Sequence, residues 1–177
     1  MTEKHPFGSF VPKNARYLIL GSFTARQAVS GNEKESYDWF YTTKRNQFWP
    51  ILEGVYNRKF QNKKDKQELF TRLKIAITDI ILQCERKANN NLDMNLTNIV
   101  FNTNAIYKIL HENKIESIFF SSRFVEKLFK KHFKGLILKY PKMRLIALPS
   151  PLPRYAALTK SEKISKYKVL LPKLNKF

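Results

Sequence analysis

Tyr17-Leu18-Ile19-Leu20-Gly21-Ser22-Phe23 decides the reading of the fold. Its first four residues are all apolar, with no alternation of polar side chains. A strand with one wetted face alternates; a continuous run is what a strand covered on both faces requires. That favours a parallel sheet lying between helices. Gly21-Ser22-Phe23-Thr24 then turns the chain. Outward from this strand, Ser117-Ile118-Phe119-Phe120-Ser121 and Arg144-Leu145-Ile146-Ala147-Leu148 read the same way. Ile75 to Ile81 is also apolar, and fits either a short strand or buried irregular backbone.

Helical patterns fall between these runs. Phe48 to Tyr56 is an apolar helical patch, and Leu69, Phe70 and Leu73 share one side of a short helix over Gln67 to Lys74. Ile106, Ile109 and Leu110 fit another. Phe124, Val125, Leu128, Phe129 and Phe133 recur at helical spacing as a core stripe, with Arg123, Lys127, Lys130, Lys131 and Lys134 forming a basic face. His132 falls on the apolar side and reads as a packed core histidine. Thr159-Lys160-Ser161-Glu162 matches a capping box and opens a last helix running to about Leu171. Loops are expected from Ala25 to Ser36 and from Lys87 to Asn95. The basic run from Arg58 to Lys66 reads as solvated surface first and a phosphate-contacting face second. Strands alternating with helices give an α/β fold built on a parallel sheet.

The chain has 177 residues, which fits one domain, 1–177, with a sizeable core. Its 33 Lys and Arg against 14 Asp and Glu leave a formal charge of +19. Such an excess suits a polyanionic partner, because each neutralised phosphate releases counterions. The plainer alternative is a lysine-rich, merely soluble surface. No apolar run is long enough to span a membrane, and the polar Met1-Thr2-Glu3-Lys4-His5-Pro6-Phe7 start is no signal peptide, so an intracellular, cytoplasmic location near the nucleoid is expected. The one cysteine, Cys84, allows neither an internal disulfide nor a cysteine metal cluster and reads as a small buried apolar residue. His5, His111 and His132 lie far apart without metal-ligand spacing, so no metal is expected. There is no repeat, no linker, and no Walker or GxGxxG pattern.

Sites in parallel sheets lie beyond the carboxyl ends of the strands. That rule selects Gly21-Ser22-Phe23 and Pro149-Ser150-Pro151-Leu152-Pro153-Arg154 as two walls of one cleft. The three prolines of the second wall fix φ and remove backbone donors, so that loop is stiff. Between the walls lies Asp38-Trp39-Phe40-Tyr41-Thr42-Thr43-Lys44-Arg45-Asn46-Gln47-Phe48-Trp49-Pro50, with the stacking aromatics and hydrogen-bonding amide that a base pocket needs.

In order, a His5-Pro6-Phe7 lead, a Gly21-Ser22 loop, the Arg45-Asn46-Gln47-Phe48-Trp49 segment and a late Pro149-Ser150 loop resemble the uracil-DNA glycosylase superfamily. The likeness runs from His5 to about Leu171 and is greatest to the mismatch-specific and hypoxanthine-DNA glycosylase branches. It implies a three-layer fold with a central four-stranded parallel sheet flanked by helices. It also implies a monofunctional DNA glycosylase of base excision repair. Such an enzyme hydrolyses the N-glycosidic bond of a deaminated or mismatched base, uracil, hypoxanthine or related, flipped out of DNA. DNA is the implied partner, duplex or single-stranded; a monomer is expected, without a cofactor. The alternative is a non-catalytic nucleic-acid binder on the same fold.

The resemblance also implies roles. Gly21-Ser22-Phe23-Thr24-Ala25 lacks the carboxylate or amide that many members use there to orient water, as does the hypoxanthine branch. Asn46 is the implied substitute, polarising water or holding the base; as a plain residue it suits a helix cap. Tyr41 would stack on the flipped base, or serve as a core aromatic, and Phe23 would floor the pocket. Asp79 reads as a structural hydrogen-bond acceptor first and a base-pocket residue second, alongside Gly21 and Ser22. Ser150 would contact a phosphate, Leu152 would wedge into the vacated stack or pack within its loop, and Arg154 would contact a phosphate or the opposite strand. Leu148 stands where the family often has His or Asn, and Arg154-Tyr155 departs from the small residue and Asn usual in the hypoxanthine branch. The single cysteine argues against the iron–sulfur branches.

Overall fold

The computed structural model describes residues 2–23, 39–87 and 95–175. Four strands form an all-parallel sheet: β2 (Tyr17–Gly21), β3 (Ile75–Asp79), β6 (Ser117–Phe120) and β7 (Arg144–Ala147), in the order β3-β2-β6-β7. Leu18 lies opposite Ala76 and Ile118, and Ile19 opposite Ile77 and Phe119. The continuous apolar runs are continuous because both faces are covered. Leu18, Leu20, Ile118 and Phe120 pack into one core, against α3 (Thr103–Glu112), α4 (Arg123–His132) and α5 (Lys134–Lys139). Ile19, Ile75, Ile77 and Phe119 enter the other, beneath α1 (Phe48–Tyr56), α2 (Lys63–Leu73) and α6 (Lys160–Leu170). The result is three layers, helices on both sides of a parallel sheet, as the sequence pattern implied.

The ambiguous stretch before Ile80 is a strand. All five residues of β3 are buried, and its outer edge is protected by the N-terminal segment, where Phe10 and Ile77 exchange both backbone hydrogen bonds. This lays residues 5–10 along β3 and carries His5 to the carboxyl end of the sheet. A second sheet was not foreseen. β1 (Thr2–Lys4), β4 (Ile81–Arg86) and β5 (Leu96–Phe101) form an antiparallel sheet with β4 central. Its alternation is broken by shifts of register in the β4–β5 pair, which hides the period-two signal.

Other boundaries shift for local reasons. α2 begins at Lys63, four residues before the first expected position, because the Asn62 side chain caps it by accepting from Asp65 N–H at 3.0 Å. The end of the basic run is therefore the first turn of a helix. His132 is exposed rather than core; its ring lies against Phe101, with centroids 4.3 Å apart. Cys84 is buried as expected. α6 carries both reciprocal bonds of the expected capping box between Thr159 and Glu162. The loop expected over Ala25 to Ser36 lies outside the described residues, as do Thr24, Asp38 and residues 88–94 of the Asn-rich loop. The ends of that second loop are closed by Lys87 N–H donating to the Asn95 carbonyl at 2.9 Å.

Candidate active site

Every strand of the parallel sheet points its carboxyl end to the same edge, and the predicted segments meet there. Asp79 ends β3 beside Gly21, its register partner at the end of β2. The approach is close. A methyl group on Gly21 would stand 2.2 Å from Asp79 Oδ1 and 2.2 Å from the Tyr41 hydroxyl. Only a residue without a side chain lets both oxygens sit against this backbone.

Asp79 is held from behind. His5 Nε2 lies 2.8 Å from Asp79 Oδ2, with both side chains almost wholly buried. The other ring nitrogen, Nδ1, lies against the Phe7 carbonyl and 3.2 Å from the Phe7 N–H. The ring packs among Phe7, Phe23 and Phe40. Burial alone lowers the imidazole pKa; the hydrogen bond and charge of Asp79, with the Phe7 carbonyl, outweigh it and raise the value above normal. Asp79 and the Phe7 carbonyl both favour the protonated ring. Asp79 is thus the structural acceptor expected, and His5, with no assigned role beyond its place in the His-Pro-Phe lead, is its partner. Phe23 forms one wall of this cluster, with the Arg86 guanidinium over its ring at 5.8 Å. Arg86 is itself paired to Glu3 at 2.9 Å.

Tyr41 links this corner to α1. It adopts a left-handed backbone, φ 59°, and its half-buried ring packs on Phe48 at 4.5 Å between centroids. Just before α1, Asn46 turns its side chain back, and Oδ1 accepts the Phe48 N–H at 2.9 Å. The helix cap itself is Gln47, which has no side-chain cap bond, so Asn46 supports the start of α1 from one residue further out rather than capping it. A second lone pair on Oδ1 and the whole NH₂ group stay available, because among the described residues no other hydrogen bond to this side chain occurs.

The Pro-rich loop joins the same structure from its other side. With so few N–H groups it is anchored through the carbonyls of Pro149, Pro151 and Leu152, held by donors from α6 and from Gln47 at the start of α1. Tyr167 O–H donates to Pro149 O at 2.7 Å. Gln47 N–H donates to Pro151 O at 3.0 Å. Lys163 Nζ donates to Leu152 O at 3.1 Å and to Gln47 Oε1 at 3.2 Å. Ser150 Oγ turns inward to accept the Leu152 N–H at 3.4 Å. Leu152 is half-buried and Arg154 exposed. Leu148 is buried at 2% exposure, so it contributes apolar packing and no donor.

The two predicted walls are not adjacent. β6 separates β2 from β7, placing their ends about 10 Å apart at the usual strand spacing. The Trp39–Pro50 segment fills the interval, touching Gly21 through Tyr41 and Pro151 through Gln47. On the far side of the loop, a cleft of about 460 Å³ opens between the N-terminus of α4 and α6, lined in part by Ser122, Arg123, Ser150, Tyr155 and Lys166. Among the described residues no group of His, Cys, Asp and Glu could hold a metal ion, and no helix is long and apolar enough to cross a membrane.

No protein-family model matches the sequence, and no curated protein matches it significantly. The structure is similar to the solution structure of a putative uracil DNA glycosylase from Methanosarcina acetivorans. The TM-score is 0.65 at 18% identity, covering 96% of this chain and 99% of that one. The fold is uracil-DNA glycosylase-like. Within this glycosylase-like fold, Gly21, Ser22, Phe23, Tyr41, Asp79, Asn46, Ser150, Leu152 and Arg154 all lie at the carboxyl edge of the sheet. Sequence reasoning missed His5 as a member of the site and Lys163 altogether. The only sequence signal for His5 was its place in the His-Pro-Phe lead; Lys163 had none, since a lysine in a lysine-rich helix reads as solvent-facing.

Proposed function

We propose that this chain, as a single domain over 1–177, is a monofunctional DNA glycosylase that removes a deaminated or mismatched base, uracil, hypoxanthine or a related one, from DNA. One observation carries the reading: three segments far apart in sequence, ending β2, preceding α1 and following β7, are brought together at the carboxyl edge of the sheet, by the close approach of Tyr41 to Gly21 and by the Gln47–Pro151 hydrogen bond. That surface offers an aromatic ring, a free amide, a buried carboxylate and a stiff apolar loop. These are the parts a flipped base requires.

The reaction breaks the C1′–N bond, with the electron pair leaving on the base. Water adds to C1′ and loses a proton, and the products are the free base and an abasic sugar. Asn46 is the group we assign to the water or the leaving base; its bond to Phe48 N–H fixes where its NH₂ points. Tyr41 supplies the stacking surface. Asp79, oriented by His5, closes the rear of the pocket with Gly21, Ser22 and Phe23. Preorganised groups of this kind act by matching the charge that develops as the bond breaks. Ser150 and Arg154 are assigned to the DNA backbone and Leu152 to the gap left by the base. A charge of +19 supports a polyanionic partner.

A second reading, a nucleic-acid binder without catalysis, is favoured by the loss of two polar groups, with apolar Phe23 and Leu148 standing in their places. A panel of oligonucleotides carrying uracil, hypoxanthine, xanthine or mismatched thymine separates the two. After alkaline cleavage, a strand break at the lesion supports the glycosylase, whereas a mobility shift without breaks on any lesion supports the binder.

A further inference from the structure

Lys163 is 1% exposed in the middle of α6, and among the described residues it has no carboxylate partner. Burial lowers its pKa. A buried ammonium is costly unless its donors are satisfied. Here all three directions are used, on Gln47 Oε1, on Leu152 O, and on the face of Tyr155, whose ring centre is 5.6 Å away. Every one of these partners belongs to the loop or to the residue beside Asn46. None serves the core.

The bond to Leu152 O has a particular consequence. Leu152-Pro153-Arg154-Tyr155 is a β-turn, closed by Tyr155 N–H donating to the same Leu152 carbonyl at 3.0 Å. Proline suits the second position of such a turn. The turn sets which way the Leu152 and Arg154 side chains leave the backbone. With prolines at 149, 151 and 153, the loop has few N–H groups of its own to fix that orientation. Gln47 N–H on Pro151 O and Lys163 on Leu152 O fix it from outside, and Gln47 joins the two donors.

We infer that Lys163 is a positioning residue for base extrusion: its ammonium, together with Gln47, aims the Leu152 turn and ties that aim to the Asn46 segment. The inference rests on the glycosylase reading for its consequence, but not for its geometry. A hydrophobic residue of similar length would fill the same space without the ammonium's cost. Retaining the charge is what orienting two oxygens and a ring demands.

The test is Lys163→Met, read two ways. Hydrogen exchange at the Leu152 and Tyr155 amides, relative to amides of β2 and β6, is expected to speed up by about tenfold, the scale of one lost charged hydrogen bond. Single-turnover excision from duplex is expected to fall about tenfold relative to excision of the same lesion in a single strand. In a Leu152→Ala background that ratio is expected to be unchanged by Lys163→Met. A residue that merely stabilises the fold would instead speed exchange everywhere and slow both substrates alike, and either result overturns the inference. If Lys163→Met does not fold, Gln47→Met removes one acceptor and decides the matter by the same exchange ratio. If the wild type releases no base from any substrate, the glycosylase reading falls, and loop exchange alone judges Lys163, with unchanged exchange refuting it.

Discussion

Gly21→Ala is the substitution with the most sharply defined cost. The added methyl would meet Asp79 Oδ1 and the Tyr41 hydroxyl, each at 2.2 Å. Ordinary contact begins near 3.4 Å, so each oxygen must retreat by about 1.2 Å. Neither can do so freely. Asp79 is held by His5 at 2.8 Å with both side chains buried, and the Tyr41 ring is packed on Phe48. Overpacking a tight site costs about 1–3 kcal/mol. Breaking a buried ion pair by displacing one partner costs about 3–5 kcal/mol, and partial displacement costs part of that. A loss of about 3 kcal/mol follows. In a chain of this size each kcal/mol lowers Tm by about 2–4 °C, so Gly21→Ala is expected to lower Tm by about 6–12 °C. The control is Gly8→Ala, where the new methyl meets nothing within 4 Å; its Tm is expected to stay the same or rise slightly. Calorimetry of the two variants beside the wild type is the assay. A Gly21→Ala protein within about 1 °C of wild type would refute the described packing of Asp79 and Tyr41 on this backbone.

Three further outcomes follow from the same geometry. The His5 pKa is raised in the folded state, so its contribution to stability is complete below the ordinary value of 6.5 and is lost as pH rises through the folded value. Urea midpoints at successive pH values above 6.5 should therefore decline for wild type and show a smaller decline for His5→Gln; an identical pH dependence would refute the coupling of His5 to Asp79. Asn46→Ala loses both the bond to Phe48 N–H and the amide, so stability should fall by about 1 kcal/mol and single-turnover excision by about 100-fold or more, whereas Asn46→Asp keeps the accepting oxygen and should lose excision with little loss of Tm; equal activity in all three proteins would leave Asn46 only its backbone bond. Duplex affinity should fall steeply with salt, with a logarithmic slope of about −4.5 or steeper if five or more phosphates are neutralised, and a flat dependence would mark the charge as mere surface.

What the sequence made legible was whatever obeys a single period or a local rule. β2 and β6 are uninterrupted apolar runs because both faces are covered, and α6 begins at a capping box written in four residues. The antiparallel sheet escaped notice because bulges in β4–β5 break its alternation and one of its connections is the Asn-rich segment. α6 illustrates the limit differently. It buries Lys163 and Tyr167 while Val169 stands 83% exposed, the reverse of what hydropathy selects. The helix faces a loop that needs donors, so its polar ends go inward. The site residues were legible as segments but not as contacts. Gly21, Tyr41 and Asp79 lie at separate points along the chain, and only the parallel register of β2 and β3 and the return of α1 bring them together. His5 reaches Asp79 because residues 5–10 protect the edge of β3, a long-range pairing with no local signature.

Detection of the free base decides whether this surface breaks a glycosidic bond. Wild-type protein and Asn46→Ala would be incubated in excess over duplexes carrying uracil or hypoxanthine, and the released base separated by chromatography and weighed by mass spectrometry. Free base is expected from at least one lesion, equimolar with alkali-labile sites, and is expected nearly to disappear in Asn46→Ala with duplex binding retained. Tight, salt-sensitive binding by the wild type with no base released from either duplex would contradict the glycosylase reading.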